Sequence, residues 1–459
     1  MLHYARIFCD IFMKKGDIID LSIDSIAFGG EGVGKYPYEK RLFTVFVRGV
    51  VPKDRVRVKI TGKKRNYARA LVVDFLEKAE NRIMPRCRHF LSCGGCSLQN
   101  LAYKDQLKIK EQQVKDALKR IGGLNEGIVL PIIGCENEWF YRNKMEFGFD
   151  FKDDGLHLGL HPKRRFHDVV DIEECFLFDF PVPDLIQKMR HFFKDFPDES
   201  LKSLILRRGI NTGETMIALV TENMGAGSEI AKKFANFVRK FGFKSAYHIN
   251  NINRQGLKKT AKEALLCGNP TIREALKLKN GAELQFEISP QSFFQPNTIQ
   301  AQNLYSIALE YANLSGKEIV YDLYCGTGTI GLCASFGAKK VYGVEINETA
   351  VQNARANARL NCISNVEFLA GDCAQMTAKI KDPPHVVIVD PPRNGFHGKV
   401  FPVIADLGAR RIVYISCNPT TLARDLNLFT KTGYKAELVQ PVDMFPQTCH
   451  IESVAVLSK

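Results

Sequence analysis

The chain reads as a multidomain protein: a small β-barrel over residues 14–78, a central α+β region over 79–288, and an open α/β sheet of the doubly wound, Rossmann-like kind over 289–459. Three observations carry this reading. After Ser289, apolar strand-type runs alternate regularly with helical stretches. Before residue 78, short alternating strands are broken by turn clusters, and between these regions strands and helices mix without regular order. At 459 residues the chain also exceeds what one core normally organises.

In the front region the strand-type runs are Asp17 to Ile23, Leu42 to Val47 and Arg55 to Ile60, separated by Gly29 to Gly34 and by Pro52-Lys53-Asp54. Alternation in Arg55-Val56-Arg57-Val58-Lys59-Ile60 puts charge on one face and an apolar row on the other, which suits a barrel wall. The glycines at 29, 30, 32 and 34 precede strand-like rather than helical residues, so they are read as hairpin turns and not as a phosphate loop. Tyr103 to Arg120 is strongly helical, with Leu107, Val114 and Leu118 on one face and Lys108, Lys110, Lys115 and Lys119 elsewhere. The middle of the chain adds short strands such as Met145 to Phe149 and Thr215 to Val220, with one or two helices.

In the back region the strands are Ile319 to Leu323, Lys340 to Glu345, Val366 to Leu369, Val386 to Asp390 and Arg411 to Ser416. The first runs into Asp322-Leu323-Tyr324-Cys325-Gly326-Thr327-Gly328-Thr329-Ile330-Gly331, a glycine turn that opens a helix and allows a ligand close to the backbone. Glu345 ends the next strand, Asp372 follows the third and Asp390 ends the fourth, so three carboxylates fall at the carboxyl ends of neighbouring strands, where such folds bind ligands. The spacing departs from the pyrophosphate pattern G-x-G-x-x-G. Cys417, in Ser416-Cys417-Asn418-Pro419, lies at a fifth strand end, placed to act as a nucleophile.

The net charge is +14, and residues 1–130 hold 25 Lys and Arg against 14 Asp and Glu, a net +11. A basic front end points to a polyanionic partner. Lys63-Lys64-Arg65-Asn66-Tyr67-Ala68-Arg69 and Lys163-Arg164-Arg165-Phe166-His167 interleave cations with an aromatic ring, as single-stranded nucleic acid binding requires; a solvated surface is the alternative for each. No apolar run is long enough to span a membrane, and Met1 to Phe12 lacks the build of a secretory signal; Met13 is an equally good start. With 13 cysteines the chain is expected in a reducing, cytoplasmic setting.

Asp390-Pro391-Pro392-Arg393 resembles the fourth-strand motif of adenosylmethionine-dependent nucleic-acid methyltransferases. Together with Ser289-Pro290-Gln291-Ser292-Phe293-Phe294-Gln295, the glycine turn, Ser416 to Pro419 and Asp443-Met444-Phe445-Pro446-Gln447-Thr448-Cys449-His450-Ile451-Glu452, it makes nearly the whole chain similar, in order, to the RNA uracil-5-methyltransferases. That resemblance implies a TRAM-like barrel at the front and S-adenosylmethionine as methyl donor. It gives Cys417 the nucleophile's place, Glu452 the base's, and Gln295, Tyr324, Glu345, Asp372 and Asp390 the donor contacts, with Thr329 added. His450 is a rival base; the alternation of Cys449 and Ile451 with His450 and Glu452 is read as one face of a strand carrying both polar residues.

Cys87, Cys93 and Cys96 sit within ten positions, with Cys175 far downstream, a spacing that suits an iron–sulfur cluster better than the two short pairs of zinc; His89 is the competing ligand. By resemblance the four cysteines ligate a [4Fe-4S] cluster. Family members with both barrel and cluster include bacterial 23S rRNA enzymes, so the expected substrate is 23S rRNA, with tRNA as the alternative, acted on by a monomer that needs no protein partner. An adenine-type base methyltransferase, which would not need Cys417, and a non-catalytic RNA-binding or RNA-folding protein are the competing readings.

Overall fold

The computed structural model describes residues 13–38, 41–165, 167–225, 227–253, 260–396 and 398–459. Met1 to Phe12, and Phe166 of the second basic segment, lie outside the described residues. The chain divides into two compact units, one running to Gln113 and including Gln447–His450, the other made of Val114–Pro446 and Ile451–Lys459.

The first unit contains β1 (Ile18–Ile26), β2 (Gly32–Tyr38), β3 (Arg41–Val47), β4 (Arg55–Lys63) and β5 (Tyr67–Glu77), closed into a barrel in the order β1-β2-β3-β5-β4. Strict alternation explains the wall: Val56, Val58 and Ile60 of β4 point inward beside Leu21, Ile23, Phe43, Val45 and Val47, and Arg55, Arg57 and Lys59 point out. Of the glycines expected in turns, only Gly29 and Gly30 turn; Gly32 and Gly34 are strand residues of β2. Close packing is the reason, because a Cβ on Gly34 would sit 2.5 Å from the Ser22 carbonyl oxygen and one on Gly32 only 2.2 Å from Val50 Cγ2. Buried Asp54 closes the barrel's base, accepting from Val51 N at 2.7 Å and Ala79 N at 3.0 Å and pairing with Arg82.

Helix α1 (Tyr103–Ala117) continues as a wider turn over Leu118–Gly122. Val114 and Leu118 are buried as expected, but Leu107 is only half-buried, and Gln106 and Lys110 are fully buried in its place. The apolar stripe therefore does not define the covered face near the start of α1.

In the second unit, β6 (Lys144–Lys152), β7 (Gly155–Leu160), β8 (Val170–Asp171), β9 (Leu201–Arg208), β10 (Thr215–Glu222), β11 (Ser245–Ile252) and β12 (Thr260–Gly268) form one sheet in the order β12-β11-β10-β9-β6-β7-β8. Helices α2 (Val182–Phe193) and α3 (Glu229–Val238) pack on it through Phe147, Phe178, Phe193 and Phe234. This is more regular than a loose α+β mixture, because the almost wholly buried runs of β9 and β10 form its centre. A hairpin, β13 (Ile272–Lys277) and β14 (Glu283–Ile288), leads into α4 (Thr298–Ala312).

The remaining strands are β15 (Ile319–Leu323), β16 (Lys340–Glu345), β17 (Val366–Ala370), β18 (Val386–Val389), β19 (Arg411–Ser416), β20 (Lys435–Val442) and β21 (Glu452–Ser458), in the order β17-β16-β15-β18-β19-β21-β20. The first five in that order are parallel, and β21 runs antiparallel to both β19 and β20. Alternate residues feed two cores. Val320, Val341, Ile388 and Val413 face one side, and Tyr321, Leu323, Val387, Val389 and Tyr414 the other. Both faces carry helices, from the set α5 (Thr329–Ala334), α6 (Glu348–Leu360), α7 (Cys373–Thr377), α8 (Val400–Asp406) and α9 (Pro419–Thr430). The strand order reverses between β15 and β18, which opens a crevice at their carboxyl ends. Among the described residues no helix is long and apolar enough to cross a membrane.

Candidate active site

The crevice starts at the turn after β15. Tyr324 adopts φ 65° and hands its N–H, like that of Cys325, to the Val344 carbonyl on β16, at 2.9 and 3.1 Å. Gly326 and Gly328 also have positive φ, and a Cβ on Gly326 would meet nothing within 4 Å, so the turn has open space beside it. Glu345 Oε2 accepts from Gly326 N at 3.2 Å, fixing the acid that ends β16 against the turn. Beneath it, Asp322 Oδ2 accepts from Gly331 N at 2.7 Å while its Oδ1 has no hydrogen-bond partner. Burial pushes the Asp322 carboxyl up to about 7, with Asp390 and Glu345 adding to the rise.

The opposite wall is built by the loops after β18 and β19. Asp390 follows β18 directly, its N–H reaching the Leu323 carbonyl at 3.4 Å. The loop then turns at Gly395, which has φ 70° and leaves space for Asp425, since a Cβ there would sit 2.4 Å from Asp425 Oδ2. Asp425 receives Phe396 N at 3.0 Å, Tyr414 OH at 2.8 Å and Arg424 Nε at 2.8 Å, so α9 holds this loop down. Asn418 caps α9 through Thr420 N at 3.0 Å and donates its own amide to the Arg393 carbonyl, also at 3.0 Å. The loop after Asp390 and the loop after Cys417 are thereby tied together.

Cys417 and Glu452 meet through sheet register. The β19–β21 ladder pairs Ser416 with Ser453, so one step further sets Cys417 opposite Glu452. Cys417 is half-buried and Glu452 buried, and both are close enough to Asp390 and Arg393 for their charges to matter. Burial, reinforced by Glu452 and Asp390, pushes the Cys417 thiol up to about 11, with Arg393 opposing. Burial and then Asp390 raise the Glu452 carboxyl well above its usual range, again against Arg393. Asp390 keeps a solvent-reachable edge but is surrounded by protein, and burial pushes it up to about 7. A thiol, two carboxyls whose proton affinity burial raises and one guanidinium are the kinds of group that nucleophilic addition followed by proton removal from carbon uses.

Residues 102–459 match the family described as tRNA (Uracil-5-)-methyltransferase, and residues 13–73 match the TRAM domain. The chain belongs to the tRNA (uracil-5-)-methyltransferase family. Relatives of this methyltransferase include an uncharacterized RNA methyltransferase of Clostridium acetobutylicum, 38% identical with 97% of this chain and 98% of the relative covered. One of Enterococcus faecalis is 37% identical with the same coverage, 97% and 98%. The crystal structure of the Pyrococcus abyssi tRNA (uracil-54, C5)-methyltransferase in complex with S-adenosyl-L-homocysteine superposes with a TM-score of 0.73 at 26% identity, over 96% of this chain and all, 100%, of that one.

In this methyltransferase the structure gathers Cys417, Glu452, Asp390, Tyr324 and Glu345 around one crevice. Thr329 opens α5, and Asp372 caps α7 by accepting from Ala374 N at 2.9 Å. Gln295 is buried on a separate segment, whose Phe293 carbonyl takes the Thr327 hydroxyl at 3.4 Å. One sequence argument fails: β21 begins at Glu452, so His450 precedes the strand and the two do not share a strand face. Asp322, Arg393 and Asn418 were not named as site residues, although all three stand within motifs already singled out. The barrel's basic segment forms the β4–β5 turn, where Lys63 lies 4.2 Å from the Tyr38 ring centre and Arg69 lies 5.2 Å from that of Tyr67. In the segment before β8, Arg165 pairs with Asp168 at 3.1 Å.

Cys87, Cys93 and Cys96 share one loop of the first unit, while Cys175 belongs to the second. Among the described residues no group of three or more His, Cys, Asp or Glu is assembled to hold a metal ion. Gly95 N donates to Cys93 Sγ at 3.2 Å, which suits a thiolate ligand, whereas burial raises the Cys175 thiol against the backbone N–H groups of Leu177 and Phe178.

The Asp390 carboxyl titrates near 7 when folded against 3.8 ordinarily, so between these values the unfolded chain binds fewer protons and stability falls as pH rises. Asp390→Asn removes that cost. Thermal melts of the ligand-free protein should show the variant more stable at pH 8 by about 1–3 kcal/mol, with the gain vanishing toward pH 4.

Proposed function

We propose that this protein transfers a methyl group from S-adenosylmethionine to carbon 5 of a uridine in RNA, through a covalent Cys417 adduct, and that its substrate is 23S rRNA. The single observation that carries the chemistry is the joint placement of Asp390, Cys417 and Glu452 at the ends of three neighbouring strands. Cys417 thiolate adds to uracil carbon 6, and the displaced electron pair forms an enolate through carbons 5 and 4. Carbon 5 then takes the methyl group, with S-adenosylhomocysteine as the leaving product. Glu452 removes the carbon-5 proton, the electron pair of that C–H bond becomes the carbon 5–carbon 6 double bond, and the C–S bond breaks to return the thiolate. The target base must leave any stack to reach a thiol at this depth.

Gln295, Tyr324, Thr329, Glu345, Asp372 and Asp390 are assigned to the methyl donor. The open space at Gly326 fits a ligand lying over the turn. When bound, the donor supplies a methyl group on a positively charged sulfonium, a charge that suits a crevice lined by carboxylates.

The assignment to 23S rRNA rests on the barrel combined with the four cysteines, to which we assign a [4Fe-4S] cluster. The second reading, tRNA, is favoured by the tRNA (uracil-54, C5)-methyltransferase that superposes over nearly the whole chain.

Cys417→Ala should abolish both methyl transfer and adduct formation, and full methylation by it would refute the mechanism. Glu452→Gln should slow turnover on the order of 10²–10⁴-fold and leave a denaturant-resistant methylated adduct. Mass-spectrometric mapping of 5-methyluridine in RNA from a strain lacking the gene decides the substrate: loss from 23S rRNA is expected, and loss from tRNA alone establishes the second reading. Anaerobic purification should give about four irons per chain; one zinc and no iron would refute the cluster.

A further inference from the structure

The loop of residues 289–296 leads from the hairpin β13–β14 to helix α4 and carries the buried Gln295. Within the second unit, side chains of the sheet β12-β11-β10-β9-β6-β7-β8 grip this loop at both ends. At its start, Arg207 of β9 donates through Nε to the Pro290 carbonyl at 3.0 Å and through Nη2 to the Ser292 carbonyl. Arg207 is only 5% exposed, and burial brings its guanidinium down to about 10, against the opposing charge of Glu263. Glu263, on β12, takes a further hold by accepting from Gln291 Nε2 at 2.6 Å. At the other end, Asn143 lies directly before β6. Its Nδ2 donates to the Gln295 carbonyl at 2.8 Å and to Thr298 Oγ1 at 2.9 Å, and its backbone N–H to the Pro296 carbonyl at 2.8 Å. The two grips are joined to each other, since Lys144 pairs with Arg207 across β6 and β9 and the Arg208 N–H reaches the Asn143 carbonyl at 2.9 Å. Between them, Thr327 of the glycine turn donates its hydroxyl to the Phe293 carbonyl at 3.4 Å. A buried guanidinium is costly unless its hydrogen bonds are met, and here the carbonyls of this one loop receive them.

We propose that Asn143 and Arg207 are positioning residues for the methyl donor: as a two-point clamp they set the path of residues 290–296 and so place Gln295 against S-adenosylmethionine beside the glycine turn. This rests on the assignment of Gln295 to the donor. Asn143 and Arg207 hold the loop by backbone carbonyls, so they fix the course of the chain, and the direction of the Gln295 side chain follows from it. The clamp acts on the loop that meets the donor, so loosening it weakens donor binding in preference to RNA binding.

Calorimetry with S-adenosylhomocysteine on the full-length protein reads the clamp directly. Asn143→Asp keeps the volume and removes the side-chain donors, Arg207→Met removes the guanidinium fork, and Arg207→Lys keeps the charge on a single-point donor. Each should raise the Kd on the order of 10-fold, the size of one hydrogen bond lost from a binding site. KM for the donor should rise with it, while KM for RNA from the gene-deleted strain stays nearly unchanged. Gln295→Ala is run alongside, and the clamp substitutions are repeated in its background. Because they act through Gln295, they should add little to the loss that Gln295→Ala already causes. Unchanged donor affinity in the folded variants, equal losses for donor and RNA, or full additivity with Gln295→Ala would overturn the inference. So would failure of every clamp variant to fold, which would mark the clamp as structural. If Gln295→Ala itself binds S-adenosylhomocysteine as the wild type does, the donor assignment of Gln295 falls and takes the clamp with it.

Discussion

Three acidic groups are held side by side where water is scarce, and most of the second unit's C-terminal half is arranged around that fact. Asp390, Cys417 and Glu452 end or begin adjacent strands, so the spacing of hydrogen-bonded strands alone brings them together. Burial makes each group hold its proton more tightly than usual, and neighbouring negative charge adds to this at Cys417 and Glu452. Arg393 opposes this, and its loop is fastened from two sides, by Asn418 and Thr421 at its carbonyl and by the Asp425 network below.

The same logic separates what is rigid from what is open. At Gly395 and Gly328 a side chain would collide with Asp425 and with Phe368, so these turns are pressed against the scaffold. At Gly326 nothing stands within 4 Å, and that side of the turn is open. Helix caps serve both ends: Asn418 and Asp372 each satisfy backbone donors at the start of a helix while keeping a functional loop in place. The cap reading and the binding reading of Asp372 are therefore compatible, since only one of its oxygens is needed by Ala374.

In the barrel the inside is apolar apart from the hydroxyl of buried Tyr38, to which Lys63 donates at 2.7 Å. Arg69 lies beside the half-buried Tyr67 ring, so a cation and an aromatic meet at the start of β5. Arg57 is different, because it is paired with Asp20 at 2.8 Å and contributes less free charge than the strand pattern implies. Position on the outer face was legible from alternation, whereas the pairing depended on β1 lying next to β4.

Strand positions in the C-terminal sheet, the glycine turn, the row of strand-end acids and Cys417 were all readable from sequence, because apolar periodicity and turn chemistry act over a few residues. The second barrel strand was not, since its glycines look like turns until the close approach to Ser22 and Val50 is seen. Nor were the buried Gln106 and Lys110 on a helix whose polar face looked solvated. Sequence alone thus determined the local elements and the residue types able to perform the chemistry. Tertiary structure decided which of them meet: Cys417 opposite Glu452, and Gln106 with Gln447. Those meetings depend on strand register and on contacts between residues tens to hundreds of positions apart, which no local pattern encodes.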